Sequence, residues 1–166
     1  MIKAVITGDI VHSTQMSQKD RDMLIKIISR LLKDLSNEFS MRSEMYRGDS
    51  FQCLLSKPGD ALRVALLIKT GIRSLNPSEA YELQKKSKPD QKKSMLYTNW
   101  VFDARMAIGI GEVEKPKTKI STSTGSAFII SGHGLDDLKN SKQALAIETF
   151  DKFREELQTE SILLDT

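Results

Sequence analysis

The sequence predicts an α+β fold built on a ferredoxin-like βαββαβ core, with a lysine-rich segment inserted in it. Three observations carry that prediction. An apolar strand runs directly into a long amphipathic helix, a tight Gly-Asp turn joins two short strands, and a second helix precedes a strictly alternating strand. The chain has 166 residues, 39% of them apolar, which suits one packed core over residues 1–157. A C-terminal tail, 158–166, is left over.

The stretch Lys3 to Ile10 is rich in Ala, Val and Ile and ends in Gly-Asp, as a buried strand entering a functional loop does. Ser17 and Asp20 resemble a capping box. Leu24, Ile27, Ile28, Leu31, Leu32, Leu35 and Phe39 then recur at helical spacing. Glu44–Arg47 and Phe51–Leu55 flank Gly48-Asp49-Ser50, a spacing that predicts a hairpin with Asp49 at its tip.

Pro58 suits the first turn of a second helix. Ala61, Leu62, Ala65, Leu66, Leu67, Ile68 and Ile72 give that helix a broad apolar face before Asn76-Pro77 stops it. Residues 78–100 are polar, lysine-rich and weakly periodic, and are expected to form a mobile basic insertion. From Asp103 to Val113 the chain alternates. Ala104, Met106, Ile108 and Ile110 share one face, and Ala107, Gly109 and Gly111 share the other, where the missing side chains leave room for something to lie.

Thr122, Ser123 and Thr124 offer N-caps for a short helix through Ala127–Ile130, expected to end near Gly132–Gly134. Ala144–Glu148 reads as a last strand and Asp151–Leu157 as a closing helix.

Composition narrows the function classes. No apolar run approaches the roughly 20 residues that span a bilayer, and MIKAVITGDI lacks the marks of a signal peptide, so a cytoplasmic protein without a membrane role is expected. Cys53 is the only cysteine, and with His12 and His133 as the only histidines a structural zinc site is not expected. Cys53 alternates with Phe51 and Leu55 and reads as core. The net charge is +3, and much of the excess sits in KKSKPDQKK, which lacks interleaved aromatic residues although Tyr97 and Trp100 follow it. Direct nucleic-acid binding is therefore not expected.

Two carboxylates delivered by a strand end and a neighbouring hairpin tip can share a magnesium ion, which takes hard oxygen ligands and bridges to phosphate. Asp9 and Asp49 fit that description, although Gly-Asp pairs are also ordinary turn formers. Ser13 and Thr14 either cradle phosphate or cap the first helix, and the two roles are compatible. Arg47 is a candidate phosphate partner or a solvated hairpin arginine, and Lys3 and Arg105 are open in the same way. His12 can approach a phosphate or carry a proton, or simply face solvent.

These loops also carry a family resemblance. TGDIVHST resembles the first metal loop of class III nucleotide cyclases, in which an Asp-Ile pair supplies a carboxylate and a backbone carbonyl and a threonine-containing turn holds phosphates. YRGDSFQ resembles the family's Gly-Asp hairpin, RMAIGIGEV its glycine-bearing strand, and TGSAFIISGHGLDDL its late helix, in matching order from about Val5 to about Leu138. GDI, GDSFQCLL and RMAIGIGEVE together resemble the SatD family, a bacterial group related to that fold.

The resemblance implies a nucleotide-cyclase-like antiparallel sheet. It implies magnesium or manganese held by Asp9, Asp49 and the Ile10 carbonyl, and a nucleoside triphosphate near Ser13, Thr14, Arg47 and Gly125. It also implies a homodimer that completes the site. Active cyclases place an asparagine and, four residues on, an arginine on the late helix. With Gly125 as the family glycine, those positions hold Ile129 and His133, and the purine-reading position of the hairpin holds Met45. Isoleucine cannot hydrogen-bond and histidine is only partly charged at neutral pH, so His133 and Arg47 are the remaining candidates for catalysis.

Three readings follow from the sequence. The first is a nucleotide- and metal-binding sensor or regulatory module, SatD-like and transcription-related, without cyclase activity. SatD relatives often continue into a C-terminal helix-turn-helix, which the ILLDT ending would suit as the start of a further segment. The second is an active cyclase or nucleotidyltransferase using the two aspartates and magnesium. The third is an interaction module with vestigial loops.

Overall fold

The structure is a computed structural model that describes residues 1–75, 101–114 and 118–149. The strands are β1 (Ile2–Ile10), β2 (Met41–Tyr46), β3 (Ser50–Leu55), β4 (Ala104–Glu112) and β5 (Leu145–Thr149). The helices are α1 (Gln18–Glu38), α2 (Ala61–Arg73) and α3 (Ser126–Lys139). Short 3-10 turns at Ser13–Gln15, Pro58–Asp60 and Ile120–Thr122 lead into the helices. The lysine-rich segment 78–100, the expected helix Asp151–Leu157 and the tail 158–166 lie outside the described residues.

The sheet order is β2-β3-β1-β4-β5. The first four strands pair antiparallel in the ferredoxin-like arrangement, and β5 adds parallel to β4 after the α3 crossover. The expected α+β class and antiparallel core are therefore present. β2 begins three residues before the predicted strand, because Met41 is already in register with Leu55.

Alternation along β1 divides the residues between two faces. Ala4, Ile6 and Ile10 join Leu24, Ile28, Leu32 and Leu35 of α1 and Val64, Ala65, Ile68 and Ile72 of α2 in the main core. Each such Leu or Ile buried at the helical repeat contributes about 1.5–3 kcal/mol, which outweighs intrinsic helix propensity in fixing α1 and α2. Cys53 is fully buried in this core, and burial pushes its thiol up to about 12. Leu67, read as part of the α2 apolar face, is instead 39% exposed. Lys69 takes a buried place, its Nζ 3.5 Å from Asp103 Oδ1, while Arg73 Nε reaches Asp103 Oδ2 at 3.4 Å.

The opposite face is covered by α3. Ala127 packs with Val5, Leu54, Val113 and Ile120, and Leu135 and Leu138 pack with Ala107. What lies on the glycine face of β4 is therefore the chain's own helix. A Cβ on Gly109 would meet the Ala127 carbonyl and come within 2.7 Å of Ser131 N, and one on Gly111 would come within 2.5 Å of Ser126 Oγ.

α3 differs from the prediction at both ends. None of Thr122, Ser123 and Thr124 caps it. Thr122 and Ser123 hydroxyls donate to the Lys119 carbonyl and Thr124 to Glu114, so the hydroxyls are used by the preceding turn. The N-cap is Gly125, with φ 138°, where a Cβ would strike the Glu112 carbonyl. The helix also runs through Gly132 and Gly134 to Lys139. Gly134 is a contact point, since a Cβ there would meet Ala107 Cβ at 3.0 Å and Glu148 Cγ at 3.1 Å.

Candidate functional site

The C-terminal end of β1 gathers three carboxylates, each with a partner. Asp9 is in register with Ser50 on one side and Arg105 on the other. It points to the α3 face, together with Thr7 and Arg105. Arg105 holds it through two parallel bonds, Nε to Oδ1 at 3.1 Å and Nη2 to Oδ2 at 3.3 Å. Their side chains retain 14% and 26% exposure, so the pair is screened only in part. The third carboxylate, Asp103, is engaged from the other face by Lys69 and Arg73.

Asp49 sits in the three-residue loop Arg47-Gly48-Asp49 between the paired residues Tyr46 and Ser50. Arg47 and Gly48 have φ values of 50° and 83°, the left-handed geometry of a tight turn. Ile10 N–H donates to the Asp49 carbonyl at 3.1 Å, so the two acidic loops meet. Asp49 N–H turns back to the Arg47 carbonyl at 3.0 Å instead of completing the ladder toward Ile10. The Asp49 carboxylate accepts the hydroxyl of buried Ser13, which fastens the β1–α1 loop to the hairpin. That bond gives Ser13 a use other than capping α1, whose first residue is Gln18. His12, just before it, has φ 60°, so the turns at both aspartates carry a non-glycine residue in the left-handed region.

Tyr46 borders this end of the sheet. Burial pushes its phenol above the ordinary range, with Asp9 and Asp136 acting in the same sense and Arg47 and Lys139 against it. The charges of the last turn of α3, Asp136 and Lys139, are thus felt at the hairpin. Arg47 itself is exposed at the hairpin tip, its guanidinium 6.0 Å from the Tyr46 ring centre. Deeper on the same face, Gln52 Nε2 donates to Thr7 Oγ1 at 3.3 Å, and Thr7 and Ser131 hydroxyls bond at 2.8 Å.

Of the residues singled out by sequence, Ile10, Ser13 and Asp49 are bonded to one another, Asp9 precedes Ile10 at the same strand end with its carboxylate held by Arg105, Arg47 is at the rim and exposed Thr14 is in the same loop. Gly125 does not join them. It abuts Glu112, whose register partner is Ile2, at the other end of β1, roughly 23 Å away for seven strand residues. Ile129, 58% exposed, and exposed His133 lie on the outer side of α3, and neither touches the aspartates. Met45 packs against the main core, which accounts for its thioether without a ligand. The partners that sequence left unassigned are Arg105 and Tyr46. The register Asp9↔Arg105 places opposite charges directly across two strands, a pairing visible only once β1 and β4 are known to be neighbours.

The donor set suits a hard cation. Magnesium is commonly held by one or two carboxylates plus phosphate oxygens, and Asp9, Asp49 and the Ile10 carbonyl offer oxygens at one strand end. Among the described residues no group of three or more Asp, Glu, His or Cys side chains is placed to hold a metal unaided, so such an ion would rely on ligand oxygens as well. No helix among the described residues is long and apolar enough to cross a membrane.

No protein-family model matches the sequence, and comparison with curated proteins gives no match. Solved structures do match in fold. A bacterial light-regulated adenylyl cyclase aligns with a TM-score of 0.56 at 12% identity, over 88% of this chain and 74% of that one. Diguanylate cyclase SiaD from Pseudomonas aeruginosa aligns with a TM-score of 0.61 at 13% identity, over 89% of this chain but only 50% of that one. An adenylate/guanylate cyclase/hydrolase from Silicibacter pomeroyi aligns with a TM-score of 0.54 at 14% identity, over 82% and 69%. The five-stranded, mainly antiparallel sheet with its helices is thus a nucleotide-cyclase-like fold.

Proposed function

We propose that this chain is a nucleotide- and magnesium-binding domain that works as a sensor or regulatory module, as the SatD resemblance suggests, and does not cyclise its ligand. One observation carries the reading. The loops bearing Asp9 and Asp49 are locked to each other by Ile10 N–H and the Ser13 hydroxyl, while the two α3 positions where the resemblance expects asparagine and arginine hold Ile129 and His133. Such an arrangement retains ground-state binding and loses the donors that stabilise developing charge, whose removal commonly costs about 10²–10³ in rate.

Asp9, Asp49 and the Ile10 carbonyl would hold the cation, which when bound neutralises the phosphates of a nucleoside triphosphate. The Ser13–Asp49 bond orients one carboxylate and keeps the loop closed over the strand end. Arg47 and Thr14, exposed beside it, are free to meet phosphate oxygens arriving from solvent. An active cyclase is the second reading, favoured by the fold of the neighbours, with a second copy supplying the groups missing from this chain. Incubation of purified protein with ATP or GTP and manganese separates the two. The sensor reading expects the nucleotide recovered unchanged, and cyclic nucleotide formation abolished by Asp9→Ala would overturn it.

A further inference from the structure

The Arg105–Asp9 pair has a consequence for what this site accepts. A carboxylate meant for a cation is already neutralised on both oxygens by a guanidinium carried on the adjacent strand. A divalent ion reaching Asp9 competes with that guanidinium for the carboxylate and is repelled by its charge. The displaced group would stay part-buried on the α3 face, with 26% of its side chain exposed, where leaving a charge without a partner is costly. The cost falls sharply if the cation arrives with an anion, because a planar guanidinium pairs with phosphate as readily as with carboxylate.

We infer that Arg105 is a built-in counter-ion that makes this site select a cation carried with a polyphosphate over the free cation. The inference rests on the metal-binding reading above and adds a residue and a selectivity to it. Removing the guanidinium leaves Asp9 open, so free cation binds more tightly and gains less from the polyphosphate. By linkage the enhancement of cation binding by polyphosphate equals the enhancement of polyphosphate binding by the cation, so either titration reads the same coupling.

The experiment is calorimetric titration of the whole chain with manganese alone and with manganese plus tripolyphosphate, for the wild type, Arg105→Gln and Arg105→Lys. Tripolyphosphate in place of a nucleotide removes the base and ribose from the comparison. The expected result is manganese binding about tenfold tighter in Arg105→Gln, together with at least that loss in the enhancement by tripolyphosphate. Arg105→Lys keeps the charge but not the fork, and is expected within about threefold of the wild type. A melting curve shows that each variant is folded. Wild type and Arg105→Gln binding manganese equally would overturn the counter-ion role and leave the metal site standing. Failure of folded wild type and of both folded variants to bind manganese in either condition would overturn both.

Discussion

Gly109→Ala tests whether α3 truly occupies the glycine face of β4. The added methyl would come within 2.7 Å of Ser131 N and 3.0 Å of Ser131 Cβ, and closer still to the Ala127 carbonyl. Two of these three obstacles are helix backbone, which no rotamer change can move, so the helix itself must lift. Lifting it stretches the buried 2.8 Å Thr7–Ser131 hydroxyl bond and opens the small cluster around Val5 and Ala127. Overpacking of this kind costs about 1–3 kcal/mol, a drop in Tm of roughly 2–12 °C for a chain of this size. Gly132→Ala is the internal control. Its Cβ would meet nothing within 4 Å, so helix propensity alone decides and should add roughly 0.5–1 kcal/mol. Thermal and urea melts of the two variants should therefore move in opposite directions. A Gly109→Ala protein as stable as the wild type would refute the seating of α3 on β4.

Two further perturbations probe the loops. Arg47→Gly relieves a left-handed residue at φ 50° and should raise stability by about 1 kcal/mol in denaturant melts, while weakening polyphosphate binding; a stability loss would show that the guanidinium over Tyr46 matters more than the backbone. Glu44 accepts the Ser121 N–H at 3.1 Å and the Ser121 hydroxyl, and the backbone bond in particular holds its carboxyl below the ordinary 4.5. A depressed folded value means that the clasp is complete above about pH 4.5 and lost as pH falls through the folded value. Exchange protection of Ser121 N–H should fade in that acidic window, and in Glu44→Gln the fading should be absent.

The parts of this fold legible in the sequence are those set by local pattern. The period-2 and period-3.6 runs of β1, α1 and β4 and the Gly-Asp turn of the β2–β3 hairpin specify their elements without tertiary help. The extent of α3 was not legible. Gly132 and Gly134 read as a stop, yet Gly134 is where the helix touches Ala107 and Glu148, a requirement that exists only after β5 has paired with β4. The caps failed for a similar reason, because the turn at Ile120–Thr122 consumes the hydroxyls that a helix start would use.

At the candidate site, the acidic loops were visible as motifs but their partners were not. Ser13 reaches Asp49 across 36 residues and Arg105 reaches Asp9 across 96, and spacing alone carries no signal at that range. Leu67, read as apolar face, is 39% exposed, while Lys69 on the same helix is buried. Lys69 is drawn inward by Asp103, a residue that sequence reading treated only as the start of a strand.

The proposed function requires the strand end holding Asp9 and Asp49 to bind a nucleoside triphosphate through a divalent cation. Its most direct test is calorimetric titration of the purified chain with ATP and with GTP, each in the presence of magnesium and again with chelator, beside Asp9→Ala and Asp49→Ala. Saturable binding of at least one nucleotide with magnesium is expected, lost on chelation and lost in either variant while both stay folded. No binding of either nucleotide with magnesium, or binding that survives both substitutions, would contradict it.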